Sequence, residues 1–146
     1  MQIKISSESS DILDYMNTLK KAELDHLAQI MTERKSRLLQ EIREVLVRTG
    51  DERYARLAGE VADMGDESVA DLLSDVSHAE VGRDVNEVRD IVAAEHRITT
   101  GRYGVCINCG ASIGYERLAA YPTAKRCFEC QQNHEKTHAP AARPSL

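Results

Sequence analysis

Cys106-Ile-Asn-Cys109 and Cys127-Phe-Glu-Cys130 are two Cys-x2-Cys pairs, and together they hold all four cysteines of this 146-residue chain. Seventeen residues, 110–126, separate the pairs. The spacing is typical of a tetrahedral zinc site, in which each pair supplies two thiolates from one turn. Gly110 follows the first pair, where such a turn often needs a positive φ. The pattern predicts one structural zinc ion, with the ligands Cys106, Cys109, Cys127 and Cys130.

The alternatives for these cysteines are two disulfides, or reduced thiols packed as small apolar residues. Residues 1–10 contain no apolar core of a signal peptide and no small-residue cleavage site. No apolar run is long enough to cross a bilayer. We therefore expect a cytoplasmic protein without a membrane segment, in which thiols stay reduced and bind metal.

The composition favours long helices over a compact globule. Tryptophan is absent, aromatic residues make up 4% of the chain, and charged residues make up 29%. The formal net charge of −5 argues against a protein whose main task is to bind nucleic acid phosphates.

A heptad pattern begins near residue 24. Its members are Leu24, Met31, Leu38 and Val45, with Leu27, Ala28, Ile42 and Leu46 on the same stripe. Gly50 and Asp51 interrupt the pattern, but Tyr54, Leu57 and Val61 resume it. We expect the helix to continue to about residue 62, bent at Gly50, which gives a length of about 58 Å.

A second apolar series follows a break at residues 63–66, where Gly65 can end one helix and Asp66 can cap the next. The series is Val69, Leu72, Leu73, Val76, Ala79, Val81, Val85, Val88, Val92 and Ile98. Two long helices joined by a short turn must double back on each other. The predicted fold class is all-α, with a long antiparallel coiled-coil hairpin over residues 24–100 and its tip near 63–68. Because one chain satisfies the seam, we expect a monomer.

The remaining segments are predicted as a small zinc-ribbon-like head and its attachments. Residues 1–23 should pack on the head, 101–134 should form the finger and the start of a short C-terminal helix, and 135–146 should be a loose tail. The apolar residues available for the head's core are Ile113, Tyr115, Leu118 and Tyr121. His134 and His138 are expected on the surface of the last helix.

We expect no enzyme. The chain has no Gly-rich phosphate loop, no nucleophile elbow and no His-Glu-x-x-His motif. Four cysteine ligands would also leave zinc no open position for substrate. Asp63 and Asp66 at the tip are the other candidate functional residues. In one interpretation Asp66 caps the second helix and Asp63 is a solvated acid. In the other, both carboxylates contact a partner.

The combination resembles the DksA/TraR family of bacterial transcription factors. The resemblance runs from about Tyr15 to His134 and is most specific in residues 103–118, 122–124 and 127–130. It implies direct binding to RNA polymerase without DNA, with insertion of the hairpin into the secondary channel. It also implies that Asp63 and Asp66 are the tip acids and that Ser68 takes the small third position, where DksA proteins have alanine.

The resemblance also bears on guanosine tetraphosphate, to which some DksA proteins respond through basic residues. Asp90, Tyr121 and Gln131 stand at three of the matching positions, and Arg83 is retained. Weak or absent synergy with this alarmone is therefore expected. Two other functions remain open. One is a nucleic-acid-binding zinc ribbon that uses Arg102, Arg117, Lys125, Arg126 and Lys136, and the other is a coiled-coil protein adaptor.

Overall fold

The protein, seen in a computed structural model, is described over residues 19–63 and 79–138. These parts contain five helices: α1 (Lys21–Arg48), α2 (Glu52–Asp63), α3 (Ala79–Thr99), α4 (Tyr115–Ala120) and α5 (Phe128–His138). The expected helix within residues 1–18, the turn and first half of the second apolar series, and the tail beyond His138 lie outside the described residues.

The predicted helix-dominated fold is confirmed, and α1 packs against α3 in the hairpin. The buried side chains of α1 recur at steps of three and four residues: Leu27, Met31, Lys35, Leu38, Ile42 and Leu46. Those of α3 are Val81, Val85, Val88, Ile91 and Ala94. Since each side chain that leaves water contributes about 1.5–3 kcal/mol, this seam is the main source of the hairpin's stability.

Lys35 was not predicted in the seam, yet it is only 4% exposed. Its ammonium donates to both carboxylate oxygens of Glu95 on α3, at 2.9 and 2.7 Å. A pattern of apolar residues cannot identify such a lysine as buried. A buried charge is tolerated only where a partner of opposite charge lies within reach, and the pattern does not show that partner.

The expectation of one continuous helix from about residue 24 to 62 is wrong. α1 ends at Arg48, and α2 begins only at Glu52. Gly50 has a φ of 71°, a left-handed conformation that ends the helix. Asp51 then caps α2 by accepting a hydrogen bond from the Arg53 N–H at 2.8 Å.

The break also changes the direction of the chain. Ala55, Ala58 and Gly59 of α2 line the same groove as Gln40 and Glu44 of α1. In one continuous helix, Gln40 and Gly59 would be about 28 Å apart. α2 therefore folds back against α1, and the 58 Å rod expected from the sequence is not what the structure has.

The head begins where α3 ends at Thr99, as predicted. Gly101, with a φ of 71°, directs the N–H of Arg102 to the carbonyl of Arg97 at 2.8 Å, which closes the helix. Within the head, Val105 and Ser112 form an isolated antiparallel bridge.

The core of the head is only partly the one predicted. Ile113 and Leu118 are buried as expected, but Tyr121 is 66% exposed. Tyr103, which the prediction of the core omitted, is buried instead, and its hydroxyl donates to the Pro122 carbonyl at 2.6 Å. Burial raises the pKa of Tyr103 to about 12. The C-terminal helix α5 ends at His138, so it carries both His134 and His138, as expected.

Candidate metal centre

The first cysteine pair lies in a tight loop that its own backbone closes. The N–H of Gly110 donates to the carbonyl of Cys106 at 2.9 Å, and Gly110 has the predicted positive φ of 73°. The N–H of Cys106 donates in turn to the carbonyl of Ala111 at 2.8 Å. Such a loop brings both cysteines of the pair to one side because it reverses within a few residues.

The second pair lies at the start of α5. Cys127 directly precedes the helix and Cys130 is in its first turn. Two hydrogen bonds join this pair to the first. The Ile107 N–H donates to the Lys125 carbonyl at 2.9 Å, and the Arg126 Nε donates to Asn108 Oδ1 at 2.9 Å. The two loops are therefore fixed relative to each other by the protein itself.

The structure brings the four predicted cysteine ligands together, with all four sulfurs within 4.8 Å of one another. The Sγ atoms of Cys109 and Cys127 are 3.8 Å apart. A tetrahedron with zinc–sulfur bonds of about 2.3 Å places neighbouring sulfurs about 3.8 Å apart. A disulfide needs about 2.05 Å, so the geometry fits a metal ion and not a disulfide.

The thiols of the cluster affect one another's ionisation. Burial opposes ionisation of the Cys106 thiol, but backbone N–H groups of Cys127, Cys109 and Asn108 outweigh it and lower its pKa to about 6. The Cys127 side chain beside it, followed by burial, raises the pKa of Cys130 to about 12. Several thiolates can therefore coexist here only with a bound divalent ion. The donor set is that of a structural zinc ion with a closed coordination shell.

The two C-terminal histidines stack on each other, with ring centroids 4.1 Å apart. His138 is exposed as predicted, and His134 is half-buried. Among the described residues, the group able to hold a metal consists of the four cysteines.

Of the predicted tip residues, Asp63 is the last residue of α2. Asp66 and Ser68 lie outside the described residues. Their assignment to a partner contact stays a prediction.

A second feature of the head is a groove between α3 and α5. Asp90, Tyr121 and Gln131, which the sequence analysis grouped only by resemblance, all line it. The other lining residues are Ala93, Arg97, Arg117, Thr123, Ala124, Lys125, Phe128, Gln132 and Glu135. Phe128, which the sequence analysis passed over, is 61% exposed, like Tyr121 beside it. The groove thus presents two aromatic rings among mixed charges.

In the described part of the chain, no helix is both long enough and apolar enough to cross a membrane.

Comparison with protein families supports the finger directly. The family model of the prokaryotic dksA/traR C4-type zinc finger matches residues 101–136. This range contains the four cysteines and the loops that position them.

Whole-chain relatives include the RNA polymerase-binding transcription factor DksA of Caulobacter vibrioides, which is 29% identical over 78% of this chain and 77% of its own length. DksA of Escherichia coli is 25% identical over 81% of this chain and 73% of the relative. Among solved structures, transcription factor DksA2 from Pseudomonas aeruginosa aligns with a TM-score of 0.55 and 25% identity, over 88% of this chain and 97% of that one.

Proposed function

We propose that this chain, as a member of the DksA/TraR family, regulates transcription by binding bacterial RNA polymerase directly. The observation that carries the proposal is the pairing of a family-type C4 finger with a helical hairpin whose seam leads straight into it. Relatives that cover most of the chain are named for polymerase binding. In this role the protein has no catalytic activity and works in the cytoplasm, where the polymerase is.

The proposed mode of action is insertion of the hairpin tip into the secondary channel of the polymerase. Asp63 and Asp66 then act near the catalytic centre, and Ser68 takes the small position beside them. The net charge of −5 supports an action through protein contacts, without binding of DNA by this chain.

The test of the tip is the double substitution Asp63→Asn with Asp66→Asn. Both changes keep side-chain size and remove charge, so polymerase affinity should stay within about threefold while the effect on initiation is lost. Glu60→Gln is the matched control, because Glu60 is an exposed acid one turn earlier on α2. Normal promoter regulation by the double variant would refute the tip assignment.

We also propose that guanosine tetraphosphate enhances the activity weakly or not at all. The groove that holds Asp90, Tyr121 and Gln131 contains the cations Arg97, Arg117 and Lys125, but also a second acid, Glu135. Carboxylates repel phosphate, and the Arg97 guanidinium already donates to the Thr123 carbonyl at 3.2 Å. Initiation assays with and without the alarmone test this, and a large enhancement would contradict it.

A zinc ribbon that binds nucleic acid is less well supported. Two of the five basic residues proposed for it are used inside the head, since Arg117 donates to the Arg126 carbonyl and Arg126 donates to Asn108. A steeply salt-dependent gel shift with free DNA would favour that function. For the adaptor alternative, sedimentation is decisive, because the proposed regulator is a monomer.

A further inference from the structure

The break between α1 and α2 is a three-residue segment, 49–51, that satisfies its own hydrogen bonds. The Thr49 hydroxyl donates to the Leu46 carbonyl at 2.7 Å, at the end of α1. The Asp51 carboxylate accepts from the Arg53 N–H at 2.8 Å, at the start of α2. The hydrogen bonds that end α1 and begin α2 are therefore made within this segment and its nearest turns.

Gly50 is present for its backbone conformation. Its φ is 71°, and a Cβ placed there would meet no atom within 4 Å. There is room for a side chain, but any other residue would be strained at this φ. In a continuous helix, by contrast, almost any other residue would be more stable than glycine at position 50, since glycine is one of the poorest helix formers.

The spacing of apolar residues along α1 continues across the break into α2. Ile42 and Leu46 are buried on the seam, and steps of four, four and three residues lead from Leu46 through position 50 to Tyr54 and Leu57. Both of these α2 side chains are partly buried against the core in the folded-back form. The same spacing would place them on the hairpin seam if the helix were unbroken.

The folded-back contact buries few side chains completely. Of the α2 side chains described, residues 52–60, Ala58 is the buried one. Ala55 and Gly59 line an open groove beside it. Val47, also on that groove, is 62% exposed. With Ala58 buried and Tyr54 and Leu57 buried only in part, this contact is weaker than the α1–α3 seam, whose large side chains are fully buried.

We propose that residues 49–51 are a hinge, and that the protein exchanges between the folded-back form and an extended form in which residues 21–63 make one helix. In the extended form Asp63 lies about 22 Å beyond Arg48. In the folded-back form it is withdrawn alongside α1. If the proposed function holds, on which this consequence rests, the exchange sets how often the tip acids can reach the polymerase.

Two substitutions should move the equilibrium in opposite directions. Gly50→Ala removes the residue that tolerates the break and improves the helix, so the extended form should gain on the order of thirtyfold relative to the folded-back form. Glu52→Pro should do the reverse. Proline suits the first position of α2, whose N–H has no intrahelical partner, but would disrupt a helix running through it.

The populations can be read from one distance. Nitroxide labels on Gln40→Cys and Glu60→Cys, both exposed positions, would be about 30 Å apart in the extended form and much closer in the folded-back form. Double electron–electron resonance on the zinc-loaded full chain measures both populations. The native cysteines are then metal ligands, and the chain without added cysteines measures any residual labelling.

We expect a short-distance population in the otherwise unmodified chain, a shift to about 30 Å with Gly50→Ala, and only the short distance with Glu52→Pro. Gly59→Ala is the matched control, because residue 59 is helical in both forms and an added Cβ meets nothing within 4 Å. A single population near 30 Å before any hinge change, or no response to Gly50→Ala, would overturn the proposal. No polymerase enters this measurement, so the hinge can stand if polymerase binding fails. If both stand, Gly50→Ala should raise potency on the polymerase and Glu52→Pro should lower it.

Discussion

The finger and the hairpin are stabilised in opposite ways. The finger concentrates its stability in four sulfur atoms within 4.8 Å of one another. The hairpin distributes its stability over a seam of side chains along α1 and α3. A concentrated site fails when one ligand is lost, whereas a distributed seam loses stability in steps, one contact at a time. The two regions share one core, since Tyr103, Ile113 and Leu118 of the head belong to the same buried cluster as the seam.

The largest effect should come from Cys106→Ser or from removal of zinc with a chelator. Structural zinc supplies about 10–16 kcal/mol of apparent binding free energy in small fingers, so the head should unfold. Most of the helical circular dichroism should remain, because the α1–α3 seam does not include the metal. Metal content and thermal melting measure the two effects separately.

Ile107→Ala is the control for this experiment, since Ile107 lies inside the same loop but is 56% exposed and supplies no ligand. It should retain zinc. If complete removal of zinc leaves the melting curve unchanged, the finger does not depend on its metal. The finger and the hairpin would then not differ in how they are stabilised.

An intermediate effect is expected at Lys35, the charged residue buried in the described part of the hairpin core. Glu95→Gln removes the carboxylate that both described bonds of Lys35 use, and should lower the free energy of unfolding by about 2 kcal/mol. Lys35→Met replaces the buried charge with an apolar chain of similar length and should change it by less than about 1 kcal/mol. Urea unfolding measures both.

Asp25→Asn serves as the control for that pair. Its partner Lys21 forms an ion pair of similar length, 2.8 Å, but both side chains are exposed. No measurable change is expected there. If Glu95→Gln and Asp25→Asn lower the free energy of unfolding equally, burial does not strengthen the Lys35–Glu95 ion pair.

The smallest effect should come from the ion pair between Arg34 and Glu87, whose side chains are 39% and 37% exposed. Hydrogen bonds from Arg34 lower the pKa of Glu87 below its ordinary value of 4.5. The stabilisation is therefore complete above about pH 4.5 and is lost as the pH falls through the lowered pKa. Because solvent screens the pair, Glu87→Gln should cost less than about 1 kcal/mol at neutral pH.

The check is urea unfolding of both proteins over a range of pH. The difference in the free energy of unfolding between the unmodified protein and Glu87→Gln should disappear on acidification. A difference that persists far below pH 4.5 would show that it does not come from the Arg34–Glu87 ion pair.

The cysteine pairs, the end of α3 and the buried faces of α1 and α3 could be predicted from residues close together in the sequence. The cysteine spacing identified the four residues that come together, because a short pair can bring both thiolates to one side without help from distant residues. Thr99 and Gly101 indicated the end of α3, since a glycine just beyond a helix closes it through its own positive φ. The apolar steps of three and four residues likewise predicted which faces of α1 and α3 meet.

Other features depended on neighbours far along the chain. Tyr121 is exposed and Tyr103 is buried although both are tyrosines, and the Tyr103 hydroxyl donates to the carbonyl of Pro122, nineteen residues later in the chain. Lys35 belongs to the core because Glu95, sixty residues later, reaches its ammonium.

The sequence by itself determined the zinc ligands, the helical seam and the end of α3, because each depends on spacing between near neighbours. Only the tertiary structure decided the direction taken after Gly50. A glycine between two helical segments permits both a bend and a reversal, and the seam pattern suits either. The reversal follows from the packing of Ala58 against α1, a contact between segments that spacing alone does not reveal.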